Sequence, residues 1–191
     1  MVKSRIILLV AGFLYSFLSA QQFQIPLMVA DSSDTQPLYF GVNTAGTNNF
    51  DPALDTLCLA NNCRLAYFFN NGSRYSCEIK DNSLNEKQYE IRFTAGIQPR
   101  RLSWNAAGLQ SLGSFRIVDV ISGTLLDVDM TATDSLDLTD PLLQYGLKIK
   151  VIPSPPLSTF SQEVGAGWNL LGLPLQPGDN SYLAAYPNAI P

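Results

Sequence analysis

The sequence predicts an all-β protein: an antiparallel β-sandwich, immunoglobulin-like or related, followed by the start of a second β module. Three observations predict it. Apolar and polar residues alternate with a period of two in several short runs, Asn, Asp, Gly, Ser or Pro bounds each run at roughly ten-residue spacing, and no apolar stripe of period 3.6 persists for three turns. Almost no helix is therefore expected.

Taken in order, strands are predicted over Ile25 to Ala30, Leu38 to Val42, Leu65 to Phe69 and Tyr75 to Ile79. Asn70-Asn71-Gly72 lies between the third and fourth, and Asn-Gly between apolar runs is the strongest short-range hairpin signal. Next, Tyr89, Ile91 and Phe93 alternate with Glu90 and Arg92, which marks a half-buried strand. Leu102 to Trp104 and Ser114 to Ile121 follow. Leu126, Val128 and Met130 then alternate with Asp127 and Asp129, and Leu147, Ile149 and Val151 with Lys148 and Lys150. The expected core includes Ile91, Phe93, Phe115, Ile117, Val128 and Ile149. Truncating a fully buried Phe93 to Ala would cost about 3–5 kcal/mol, whereas Asp127→Ala on the solvent face should cost little.

The first twenty residues read as an export signal. Lys3 and Arg5 precede an apolar run from Ile6 to Leu18, and Ser19-Ala20 offers a cleavage point before Gln21. That run is shorter than the roughly 20 residues needed to span a bilayer. The implied order is a signal peptide at 1–20, a sandwich domain at 21–152, a Pro-rich linker at 153–159 and a truncated second β module at 160–191. Ile152-Pro153-Ser154-Pro155-Pro156 sets the first domain's end, because proline donates no ladder hydrogen bond. About 32 residues beyond the linker are too few for a core of their own, so a longer protein is expected.

Composition then narrows the chemistry. Only 15% of the 191 residues are charged, against about 25% in an average soluble domain, and 46% are hydrophobic. There is no histidine, which removes Ser-His-Asp and Cys-His nucleophile systems and histidine metal sites. After loss of the signal, 10 cations face 16 carboxylates, a net charge of −6, and an acidic exported chain has no affinity for phosphate backbones. No nucleic-acid partner and no catalytic residue are expected.

Three clusters could still carry chemistry. Cys58 and Cys63 could close a small disulfide ring in an oxidising compartment, which leaves Cys77 as a buried thiol. With a two-residue Asn71-Gly72 loop, opposed residue numbers sum to 143, which sets Cys77 opposite Ala66 rather than Cys63. The acidic window from Asp119 to Asp140 contains no Lys or Arg, and hard cations favour clustered carboxylates. The stretch Asp127 to Ala132 nevertheless lacks the glycine at position six of a calcium loop, and its acids alternate along a strand. Asn43, Thr47, Asp51 and Asp55 could cap turns or gather about an ion. Candidates for a calcium site are thus Asp51, Asp55, Asp134 and Asp137, with no other cofactor.

Four blocks stand out: Phe40-Gly41-Val42 with Phe50-Asp51-Pro52 and Leu54; Tyr89 to Phe93 with Leu102-Ser103-Trp104-Asn105; Phe115 to Asp119 with Gly123 and Val128-Asp129-Met130; and Gly167-Trp168-Asn169-Leu170-Leu171-Gly172-Leu173-Pro174. Together they resemble a family of bacterial secreted proteins, the clients of the type IX secretion system. The resemblance implies a secreted or surface-attached β-rich protein and carries over no catalytic residue. Surface attachment would run through a missing C-terminal sorting part. The expected function is a non-catalytic extracellular module for adhesion, structure or display, whose ligand is a polysaccharide or matrix protein. The alternative is an accessory module of a secreted hydrolase that binds carbohydrate through Trp104, Trp168 or exposed tyrosines.

Overall fold

The computed structural model describes residues 20–59, 62–95 and 99–156. Residues 1–19 of the expected signal, and everything from 157 onward including Trp168 and the expected second module, lie outside the described residues.

The described residues form eleven strands: β1 (Phe23–Ala30), β2 (Thr35–Asn43), β3 (Thr56–Leu57), β4 (Ala66–Asn70), β5 (Ser73–Asp81), β6 (Lys87–Phe93), β7 (Arg100–Ser103), β8 (Gly113–Asp119), β9 (Asp127–Asp129), β10 (Ser135–Leu138) and β11 (Leu147–Pro153). A four-residue helical turn α1 (Ala106–Leu109) and a 3-10 turn (Pro141–Tyr145) complete the described elements. The protein is all-β, and all nine expected strands are present. The sandwich expectation is corrected in two respects. Hydrogen bonding joins the strands into one sheet, in the order β10-β7-β1-β2-β5-β4-β6-β11-β8-β9 with β3 beside β5, rather than two stacked sheets. Its pairing is mixed, because β2 and β5 run parallel.

The connectivity dictates the curl. Strands β9 and β10 are the two edges of the ten-strand path, yet only Met130 to Asp134 connect them. A flat sheet would separate its edges by nine strand spacings, about 43 Å, while that connection reaches at most about 20 Å. The sheet must therefore bend round on itself. Met130 fastens the approach: its N–H donates to Phe115 O at 3.0 Å, and its carbonyl accepts the Trp104 indole N–H at 2.8 Å.

Inside the curl lies one core. Phe40, Phe68, Tyr89 and Phe115 are fully buried and meet edge-on or tilted, with ring centroids 5.3 to 6.4 Å apart, in the arrangement the ring quadrupoles favour. Ile91, Ile117 and Ile149 join them as expected, whereas Phe93 and Val128 are only partly buried. Phe93 sits near the end of β6, where the Arg100 guanidinium lies 5.2 Å from its ring centroid. Gly41 is required by a close approach: a Cβ there would stand 2.0 Å from Phe23 O on the neighbouring strand.

The Asn71-Gly72 turn has φ values of 47° and 81°, as a two-residue hairpin loop requires. The sum-143 register holds for Phe68↔Tyr75, Phe69↔Arg74 and Asn70↔Ser73. Beyond that β5 leaves β4, so Cys77 pairs with Tyr39 and Thr56 instead of Ala66. Strand β11 also continues past Val151, and Pro153 pairs with Gly113. The expectation that the segment from Ile152 cannot join the sheet is corrected by two residues: Ile152 pairs with Ser114, and Pro153 is the last paired residue, where its missing N–H costs least.

One aspartate fixes a long loop. Asp119 Oδ1 accepts the N–H groups of Ile121, Ser122 and Gly123 at 2.7 to 3.0 Å, while Oδ2 accepts those of Leu125 and Leu126 at 2.9 and 3.2 Å. Burial pushes its pKa up, but the donated backbone hydrogen bonds outweigh that and hold it well below the usual carboxylate range. The folded value therefore lies below the unfolded one of about 3.9, so its contribution is present above that pH and is lost as pH falls through the folded value. Urea melts between about pH 5 and about pH 2 are expected to show a stability decline to which Asp119 contributes. Asp119→Asn should flatten it. An unchanged acid limb in that variant would contradict the assignment.

Candidate functional site

The sequence nominated four aspartates as ion ligands, and the structure places them in two separate regions. Asp51 and Asp55 sit together in the β2–β3 loop, whereas Asp137 is on edge strand β10 and Asp134 just precedes it. Their oxygens are already engaged at the first place. Asp51 Oδ2 accepts Thr47 N–H at 2.6 Å, and Asp55 accepts Asp51 N–H at 2.8 Å and Ile79 N–H at 2.7 Å. Each thus caps a turn or a strand. Burial raises the pKa of Asp55, and its two backbone donors work against that rise. Asp137 is exposed and lies 3.7 Å from Arg101. Among the described residues no group of three or more acidic, Cys or His side chains converges.

Cys58 and Cys63 form a disulfide, with Cα atoms 5.6 Å apart. Cys77 is free and buried. Burial first, then the nearby Asp55 charge, push its thiol up to about 11, so it carries little thiolate at neutral pH and makes a poor nucleophile. Trp104, considered above as a sugar platform, is buried, and its N–H is committed to Met130. It belongs to the core.

The most unusual chemistry was not legible in the sequence. Strand β5 turns Glu78 and Lys80 inward, on the side of Phe40 and Tyr89, although an alternating strand was expected to keep charge in water. Lys80 Nζ lies 2.7 Å from Glu78 Oε1, with both side chains at most 9% exposed. Asn70 Nδ2 donates to the same oxygen at 2.8 Å, and Lys80 Nζ stands 5.3 Å from the Tyr89 ring centroid. Tyr89 in turn donates its hydroxyl to Gly41 O at 2.6 Å. Burial raises the pKa of Glu78 against the opposing pull of Lys80. The remaining oxygen, Oε2, is buried without a partner. Such an inward pair closes the end of the core where the β2–β3 loop crosses, since Asn70 Nδ2 also donates to Asn48 O at 3.1 Å.

Two clefts open on the outside of the sheet. One, of about 320 Å³, lies among Gln22, Gln24, Asn43, Leu54 and Ile79. The other, of about 210 Å³, runs between β2 and the disulfide-closed loop, lined by Thr35, Pro37, Tyr39, Asn62, Arg64 and Ser76. Tyr39 is 37% exposed there. Arg64 is held by Asp34 at 2.7 Å, and Asn62 Nδ2 donates to Ser76 Oγ at 3.3 Å. Amides, hydroxyls, one guanidinium and a ring edge can bind a polar ligand. They supply no nucleophile with a lowered pKa.

Comparison with known proteins returns no family model, no curated relative and no solved structure that matches the chain.

Proposed function

We propose that this protein is a non-catalytic, exported β-sheet module that binds an extracellular ligand in adhesion or display. The observation that supports it most is how the acids are used. Asp55 and Asp119 hold backbone N–H groups, Asp81 pairs with Lys87 at 2.6 Å, and Glu78 pairs with Lys80, so these are spent on structure. Neither cleft contains an acid or a cysteine among its lining residues. General acid–base work at neutral pH without histidine needs a tuned group facing substrate, and none of these groups does. The disulfide favours export, as does the signal pattern. Membership in the type IX client family, and attachment through a C-terminal sorting part, belong to this reading and rest on the sequence blocks. Three of those blocks coincide with core strands β2, β6 and β8, so they speak for architecture rather than chemistry.

A second reading, the accessory carbohydrate-binding module of a secreted hydrolase, is favoured by the Tyr39 groove with its ring of polar donors. The full reading frame separates the two, because a downstream catalytic domain belongs only to the second. For the chain itself, no turnover is expected on polysaccharide, peptide or ester substrates, with calcium or with chelator. Reproducible turnover lost on Asp51→Asn or Asp55→Asn would overturn the non-catalytic reading. A calcium-dependent rise in Tm without turnover would instead locate a structural ion.

A further inference from the structure

Outward positions on four strands of the contiguous run β5-β4-β6-β11-β8 gather five of the ten cations among the described residues. Arg74 on β5, Arg92 on β6, Lys148 and Lys150 on β11 and Arg116 on β8 all project from the face opposite the core, since their strand neighbours Tyr75, Ile91, Ile149 and Ile117 point into it. The same face holds Glu90 on β6 and Asp127 and Asp129 on β9, with Glu86 at its border. It therefore carries five of the ten cations but three of the fourteen carboxylates among the described residues, a local charge of +2 against −6 for the rest.

Two of the cations are paired, Arg92 with Glu90 at 2.6 Å and Arg116 with Asp127 at 2.7 Å. Among the described residues, Arg74, Lys148 and Lys150 have no carboxylate within ion-pair distance. The two arginines of β5 and β6 sit over aromatic rings: Arg92 Cζ is 3.4 Å from the Phe69 centroid and Arg74 Cζ is 4.7 Å from that of Tyr67. Contact with the rings restrains both side chains; Arg92 spends its Nε–H on Glu90 at 2.6 Å, whereas Arg74 has no carboxylate partner among the described residues. Less side-chain entropy is then lost when an anion docks. Arg74 pairs with Phe69 and Lys148 with Glu90 across their ladders, which sets Arg74 and Lys148 three strand spacings apart, about 14 Å.

We infer that this face docks an acidic polysaccharide, one whose carboxylate or sulfate groups are spaced along a hydrated chain. The inference rests on the exported-module reading above and names its partner chemistry. Interspersed acids and an acidic remainder disfavour a polyanion as dense as nucleic acid, which carries one charge per about 1.7 Å of duplex. A protein partner would need an apolar centre to the interface. Here the two rings are covered by guanidinium groups.

Full-length chain is titrated with polygalacturonate, with dextran as the neutral control, at about 50 mM and about 200 mM salt. Polygalacturonate is expected to bind and to weaken with salt, and dextran to show no response at this face. Lys148→Gln with Lys150→Gln should weaken binding roughly tenfold, as two exposed charge contacts would. Arg101→Glu, the same charge change on exposed β7, should alter it less than about twofold. Arg74→Lys keeps the charge but loses the fork, and should weaken binding by a smaller factor without changing the salt response. No binding of polygalacturonate, or equal losses from the β11 and Arg101 variants, would overturn the inference. Tighter binding of oligo-dT or polyglutamate through the same lysines would also overturn it, in favour of a nucleic-acid or protein partner. Turnover with this binding intact would contradict only the non-catalytic reading.

Discussion

Glu78→Gln, with Lys80 retained, lowers the stability of the protein by about 3–5 kcal/mol, the usual cost of leaving one buried charge without its partner. Lys80 has no other carboxylate within ion-pair distance among the described residues, and its ammonium is enclosed by Tyr89 and the inner wall of the sheet. Replacing both residues with Met removes two desolvation costs at once and is expected to be neutral or stabilising by about 1–4 kcal/mol. Equilibrium urea unfolding of the two variants separates these effects. A mild Glu78→Gln, within about 0.5 kcal/mol of wild type, would mean that the pair is hydrated rather than buried.

Phe40→Ala costs about 3–5 kcal/mol, while Phe93→Ala costs less than about 2 kcal/mol. The Phe40 ring contacts Phe68, Tyr89 and Phe115, which come from three different strands, so its removal leaves a cavity that no single strand can close. Phe93 packs against the core only in part, and water already reaches the remainder of its ring. Denaturant midpoints at unchanged m-value test the order. Equal costs would place both rings at one depth and contradict the curl of the sheet.

The alternation of Tyr89-Glu90-Ile91-Arg92-Phe93 and of Leu147 to Val151 was legible because period two is a local property of the chain. Strand order is not local, and nothing within β2 announces that it runs parallel to β5. Two strands were missed for lack of signal: Thr56–Leu57 has two residues, and Ser135–Leu138 lies in the acidic window that was read for ion chemistry. The inward Glu78 and Lys80 were hidden for another reason. The hairpin register read from Asn71-Gly72 is correct near the turn, but the parallel pairing with β2 takes over beyond Tyr75, and Phe40 then lies opposite Glu78. Of the nominated site residues, Cys58 and Cys63 are joined, and Asp51 and Asp55 serve as caps. The cationic face could have been glimpsed from Arg92, Lys148 and Lys150 on predicted strands. Only the strand order sets them side by side.

The curl of the sheet round one core is the central claim, and Met130 is where the connection between the two edge strands is held to β8 and to Trp104. Native-state hydrogen exchange of the Trp104 indole N–H and the Met130 amide tests it most directly. Both protons are expected to exchange only through global unfolding, with the same opening free energy as the central amides of β6 and β11. Exchange of either at the rate of an exposed loop, while β6 and β11 stay protected, would show the two sheet edges to be unfastened and would contradict the curl.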